Sequence, residues 1–138
     1  YVPFNFCPRS VMLFVVSKGH DNYRGGQEDV VHLVSKVSSA VSLNKAWAFT
    51  DRHAELGYSQ HYCNLEQLNQ VPWEAMPQKY WQSVSEQRQA EFLVRDFFPW
   101  SSFCNIVVMS EAARLKVVSA LSGAAYWPHL EVQSAWYY

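Results

Sequence analysis

Charge of one sign is what this sequence has least of. Eleven Lys and Arg stand against twelve Asp and Glu, a net charge of −1 over 138 residues. Such a balance argues against a protein that grips long duplex DNA by bulk electrostatics, but not against one that holds a few bases by stacking. Cysteine is also sparse: Cys7, Cys63 and Cys104 are odd in number and far apart. They have neither disulfide-framework nor metal-ligand spacing, so reduced thiols in a cytoplasmic protein and no bound metal are expected. No apolar run reaches membrane-spanning length, and neither a membrane association nor a secretory leader is expected. There is no Walker motif, no dinucleotide-binding glycine fingerprint and no Gly-x-Ser-x-Gly elbow. Gly25-Gly26-Gln27 holds the only glycine pair, and by itself it is a loop with a weak pull toward phosphate.

Aromatic residues are abundant, with six Trp, eight Tyr and eight Phe. They either fill a core or build stacking surfaces, and number alone does not separate the two. The length bounds the chain to one domain with a real core. Residues 2–6 look extended, with Pro3 suited to an edge strand, and Cys7 to Ser10 reads as a turn. Val11 to Ser17 is a continuous apolar run, a buried strand or a short buried helix. Lys18 to Gln27 is a polar loop, Val30 to Val37 alternates as a strand, and Ala46 to Thr50 is another. From His53 to Arg88 the chain is long, polar and aromatic. Leu65, Leu68 and Val71 have helical spacing there, broken by Pro72 and Pro77. This predicts a helical excursion rather than more sheet, with Trp73 packed in the core, and excursions of such length usually carry function. Gln87 to Val94 reads as a strand, and Asn105 to Met109 as a buried one. Ser110 caps a helix with Ala112, Leu115, Val118 and Leu121 on one face and Gly123 as its stop. Leu130 to Trp136 closes as a strand. Short strands and few helices, in an order that is not βαβ, predict an α+β fold.

Glu91 is the residue the rest turns on. Alternation places Glu91, Leu93 and Arg95 on one strand face and Ala90, Phe92 and Val94 on the other. A carboxylate beside packed apolar groups is costly unless something hydrogen-bonds to it. It is either an edge residue facing water or an arginine, or a catalytic carboxylate in a cleft. The remaining candidates are Arg9, after a Cys-Pro turn, and the corner Thr50-Asp51-Arg52-His53. Arg9 could pair with a surface acid, His53 could bond to backbone, and Asp51 and Arg52 could pair with each other or cap a helix.

Tyr1-Val2-Pro3-Phe4-Asn5-Phe6-Cys7-Pro8-Arg9-Ser10-Val11-Met12-Leu13 resembles the strand motif of the DarT family of DNA ADP-ribosyltransferase toxins. Gly25-Gly26-Gln27-Glu28 with Val31-His32-Leu33, Ala48 to Ala54, Gln89 to Val94 and Trp136-Tyr137-Tyr138 fit the same family, in order, from the first residue to the last. The resemblance implies an ADP-ribosyltransferase-like fold of two small packed β-sheets with flanking helices. It implies transfer of ADP-ribose from NAD, as substrate, to thymidine in single-stranded DNA, and a macrodomain antitoxin of the DarG type as partner. It places the catalytic Glu on Glu91 and a turn-turn substrate loop over residues 53–91. His53, Arg9, Met12, Arg52 and Tyr58 fall on the substrate or DNA side, and Arg9 and Gln27 on the cofactor side. Two features depart from the family. Asn5 stands where it usually has Tyr, and a further N-terminal segment with a His-containing NAD-binding motif precedes the stretch matched here. With Tyr1 opening inside an apolar run, a chain lacking its N-terminal part is expected.

Cleaving the nicotinamide–ribose bond builds positive charge on the sugar, as in glycoside hydrolysis, and a fixed carboxylate stabilises it. Thymine N3 is a poor nucleophile while protonated, so a base must help; His53 is first choice, Arg9 second. Two other readings stay open: an inactive remnant serving as a nucleic-acid or partner-binding module, and a transferase acting on protein or RNA.

Overall fold

A computed structural model describes residues 1–138 and places them in two compact units, one of Tyr1–Val11 and Val41–Phe98, the other of Met12–Ala40 and Pro99–Tyr138. Each carries one small sheet. The fold is α+β.

The first unit holds a four-stranded antiparallel sheet of β1 (Val2–Asn5), β3 (Trp47–Thr50), β4 (His61–Tyr62) and β5 (Glu91–Val94), in the order β1-β5-β3-β4. Aromatic side chains set its register. Phe92 lies opposite Phe4 on one side and Phe49 on the other. The Phe92 ring stacks on Trp47 at 5.5 Å, and Phe49 stacks on Tyr62 at 5.4 Å. Such cross-strand pairs add about 0.5–1.5 kcal/mol each beyond the area they bury. A one-residue slip would turn this whole set to the other face. Phe49, Phe92 and Val94 are buried, while Glu91 and Leu93 are half-buried on the opposite face, as alternation requires. The strand begins later than its sequence suggests, because Gln87–Gln89 closes a 3-10 turn. Pro3 sits in the edge strand β1, where its missing N–H breaks no ladder.

The excursion between β3 and β5 is built of four 3-10 turns, at Leu65–Gln70, Trp73–Ala75, Gln82–Val84 and Gln87–Gln89. The Leu65, Leu68, Val71 spacing is a three-residue period, which suits a 3-10 turn better than an α-helix. It also contributes β4, so one part of it does extend the sheet. Trp73 is 46% exposed, not core; its ring meets the edge of Phe6 at 5.2 Å.

The second unit holds β2 (His32–Val34), β6 (Asn105–Val108) and β7 (His129–Val132), ordered β2-β6-β7, with α3 (Glu111–Ala120) and all but the boundary residues Val11 and Val41 of α1 (Val11–Ser17) and α2 (Val37–Val41). Helix α1 resolves the apolar run as a helix, though only Leu13 in it is buried. Strand β2 is shorter than the alternating stretch, since Val37 already begins α2. Strands β6 and β7 are parallel with α3 between them, a βαβ crossover that the sequence reading had excluded. The expected strand over Leu130–Trp136 stops at Val132 and gives way to a 3-10 turn over Ser134–Trp136. Ser110 does cap α3, its hydroxyl accepting from the Ala113 N–H at 3.2 Å. The buried face is one residue away from the expected one. Ala113, Val117 and Leu121 pack on Ile106 and Val108, whereas Leu115 is 58% exposed. Alanine and valine on both sides of the helix made the two faces nearly equivalent in sequence.

Candidate active site

Glu91 is the first residue of β5, and its position depends on how β3 ends. The β3–β5 ladder runs through Trp47–Val94, Ala48–Leu93 and Phe49–Phe92. At the next step a side chain replaces the backbone rung. The Glu91 N–H donates to Thr50 Oγ1 at 3.0 Å, and that hydroxyl donates to the Arg52 carbonyl at 2.6 Å. Thr50 is fully buried. The chain after Thr50 is thereby freed from the ladder and folds back over the start of β5. Glu91 Oε2 accepts the Ala54 N–H at 2.9 Å and lies 3.1 Å from His53 Nδ1. A carboxylate only accepts, so facing Glu91⁻ the imidazole donates from Nδ1 and its lone pair sits on Nε2. Glu55 Oε2 lies 3.9 Å from that Nε2. The Glu91 side chain keeps 14% exposure and that of His53 40%, so the pair reaches solvent on one side. Glu91 is thus neither a solvated edge residue nor paired with an arginine.

The neighbouring corner is held by its own pairs. Asp51 accepts the Gln60 N–H and the Arg52 guanidinium, each at 3.0 Å. Burial works to raise the Asp51 carboxyl, but these donors outweigh it and hold it below the usual carboxylate range. The Arg52 guanidinium lies over the Tyr58 ring at 5.2 Å, and the Tyr58 hydroxyl donates to Glu86 at 2.9 Å. Asp51, Arg52, Tyr58 and Glu86 therefore tie the corner after β3 to the far end of the excursion.

Residues 1–138 match the family described as ssDNA thymidine ADP-ribosyltransferase, DarT. The chain belongs to the DarT family. A DNA ADP-ribosyl transferase of Thermus aquaticus is 39% identical over 140 residues, covering 100% of this chain and 63% of the relative. The chain therefore spans somewhat less than two thirds of that relative's length. Thermus sp. 2.9 DarT in complex with NAD+ superposes with a TM-score of 0.95 at 38% identity, covering 100% of this chain and 72% of that one. Thermus sp. 2.9 DarT in complex with ADP-ribosylated ssDNA matches with the same score and identity over 68% of its length.

Among the residues that the DarT resemblance singled out, the structure brings Glu91 and His53 into contact, and Arg52 and Tyr58. Arg9 is in the same unit, and its carbonyl accepts from Arg88 Nε at 3.1 Å. Met12 and Gln27 belong to the second unit. Met12 is exposed on α1. Gln27 is buried, with its amide committed at both ends: it donates to the Tyr138 carbonyl and accepts the Tyr138 N–H. Sequence reasoning named Thr50 within its corner but gave it no role; its hydroxyl joins segments 41 residues apart. It missed Arg88, read as a strand residue. Arg88 is buried and donates to the carbonyls of Arg9, Ala75, Met76 and Gln78. A lone arginine beside two glutamines was the signal available, and it does not tell a buried cation from a solvated one. All three cysteines are free thiols. No helix is long and apolar enough to cross a membrane.

Proposed function

We propose that this chain forms the catalytic part of a cytoplasmic enzyme that transfers ADP-ribose from NAD to thymidine in single-stranded DNA. The observation that carries the reading is the Glu91 carboxylate, anchored through one oxygen by Ala54 N–H and His53 while the other oxygen is left over. That second oxygen accepts from a ribose hydroxyl and sets its charge against the sugar. The bond from the ribose carbon to nicotinamide breaks, and nicotinamide leaves neutral with the electron pair. Positive charge grows on the sugar as this happens, and a fixed anion stabilises that state more than the starting one. Thymine N3 then bonds to the sugar carbon and loses its proton. His53 takes the proton at Nε2, since Nδ1–H is turned to Glu91; the imidazolium so formed lies against a carboxylate. The leaving group already carries the charge that draws the electrons, so the reaction requires no metal.

Residues 53–91 serve as the substrate loop. One face of Tyr58 is covered by Arg52, and its other face offers a stacking platform for an unpaired base, which costs less to extrude than a paired one. Arg9 stays a candidate for both the DNA and the cofactor side, and the exposed Met12 for the DNA side. Gln27 is left out of the cofactor site because Tyr138 holds its amide. A macrodomain antitoxin of the DarG type is the partner that this reading implies.

The test is to incubate the full-length protein with NAD and thymidine-containing single-stranded oligonucleotides, then weigh the DNA by mass spectrometry. A gain of one ADP-ribose, absent with Glu91→Gln, supports the reading. Modification of RNA or of the protein itself, with DNA untouched, replaces the acceptor. Intact binding of DNA without any NAD consumption favours the binding-module reading instead.

A further inference from the structure

A cation-lined cleft lies off the same end of the sheet as Glu91. Asn5, the last residue of β1, is the register partner of Glu91. The chain beyond it, through Cys7 and Arg9, and the chain just before Glu91, at Arg88, both leave the sheet at that end. Between them is a cleft of about 350 Å³ lined by Arg9, Lys79, Arg88, Cys7 and Met76 together with prolines and a glutamine. No carboxylate lines it.

The charge in this cleft is built in. Arg88 is 4% exposed, and its guanidinium donates only to carbonyl oxygens, Arg9 twice, at 3.1 and 2.9 Å, then Ala75 at 3.0, Met76 at 2.6 and Gln78 at 3.2 Å, while lying over the Trp81 ring at 5.7 Å. No salt bridge neutralises it. An arginine cannot shed its proton, so the positive field persists and is little screened by water. Burial pushes the Cys7 thiol up, against the pull of Arg88, which keeps it uncharged near neutrality. Lys79, an exposed residue whose ammonium lies over the Tyr80 ring at 5.8 Å, adds a further cation to the lining. Cysteine, methionine and proline make the remaining walls apolar. The volume is at the low end of ligand clefts, about 300–1,000 Å³: too small for a whole dinucleotide and suited to one phosphate with its sugar.

We propose that this cleft is a phosphodiester subsite, in which Arg9 and Lys79 contact a nucleotide phosphate and Arg88 supplies the fixed field behind them. The assignment rests on the proposed function and adds to it where a substrate phosphate is held relative to Glu91. Two sources share this chemistry: the backbone of the DNA strand beside the reacting base, and the pyrophosphate of NAD.

The experiment uses Arg9→Gln and Lys79→Gln, alone and combined, in the full-length protein. Arg88 accepts nothing from the Arg9 side chain, only donates to its carbonyl, so Arg9→Gln leaves those bonds in place. Arg95→Gln is the control, an exposed cation at the opposite end of β5. Oligonucleotide binding is followed by fluorescence anisotropy across a salt series, and NAD binding by calorimetry. The combined variant is expected to weaken one ligand by roughly tenfold or more, with Arg95→Gln within about twofold of wild type. If the DNA is the source, the slope of log affinity against log salt falls by about 0.7 per cation removed and NAD binding is unchanged. If NAD is the source, its binding falls and the DNA slope stays. Unchanged binding of both, or an equal loss with Arg95→Gln, overturns the subsite while leaving the proposed function intact. A wild-type protein that binds neither ligand defeats both.

Discussion

Replacing Thr50 by Val tests how β3 places the carboxylate. The two side chains have nearly the same shape, so the exchange removes a hydroxyl and leaves the packing. Thr50 is fully buried, and the two groups it serves belong to the half-buried residues Glu91 and Arg52. The Glu91 N–H would lose its acceptor at 3.0 Å and the Arg52 carbonyl its donor at 2.6 Å. A fully buried group left unsatisfied costs about 1–3 kcal/mol, so the two half-buried groups together cost at most about 2–6 kcal/mol, against a total stability of about 5–15 kcal/mol for a domain. A midpoint shift of about 10 °C in thermal unfolding is expected. The loop from Asp51 to Ala54 would no longer be tied to β5, so Glu91 would lose its fixed orientation. A displacement of about 1 Å at a reacting group costs on the order of 10²-fold in turnover. Thr50→Ser keeps the hydroxyl and gives up one methyl group, a cost of about 1 kcal/mol, and should restore most of the turnover. Unfolding in urea, kcat and the Kd for NAD would be measured on all three proteins. A Thr50→Val variant within 0.5 kcal/mol of wild type and with full turnover would refute this account of the strand end.

Glu91→Gln keeps the size of the side chain and removes the charge; transfer should fall by at least about 10²-fold with the unfolding midpoint nearly unchanged, and a destabilised variant would instead make Glu91 a structural residue. His53→Ala should lower transfer to DNA more than it lowers NAD binding, and equal losses of the two would move His53 into the cofactor site. Arg88→Met leaves four carbonyls without this donor, two of them, Ala75 and Met76, in buried bonds, so a loss of about 2–6 kcal/mol is expected, read by urea denaturation; near-wild-type stability would mean that the excursion is held by something else. Tyr137 donates to the Val30 and Val107 carbonyls, and burial pushes its phenol up to about 12 from 10.0. Its folded pKa is raised, so its contribution is complete below about pH 10 and is lost as pH climbs to about 12. Tyr137→Phe should flatten the stability curve over that alkaline window, and an unaltered curve would show that the phenol does not titrate with unfolding.

Some of this protein was determined by the sequence alone, wherever a local rule had no competitor. The alternation after Ala90 decided which way Glu91 points, because Phe92 and Val94 can only be on the buried face. Ser110, with Glu111 behind it, marked the start of α3. Pro3 marked an edge strand. Other features were out of reach because several local patterns were equally good. Ala112 and Ala113 offered α3 two faces, and only Ile106 and Val108 chose between them. Val30 to Val37 could all have been strand; pairing with β6 used three residues, and α2 took Val37. The parallel β6–β7 pair needed α3 as a crossover, and nothing within either strand announces its partner. The site shows the same division. Glu91 and His53 were each visible as chemistry-bearing residues, yet they are 38 positions apart, and no periodicity links them. What joins them is the buried hydroxyl of Thr50, standing in for a ladder bond so that the chain can turn back. Arg88 is charged and so looks solvated in sequence; only the fold, by turning four carbonyls onto it, makes a buried cation tolerable.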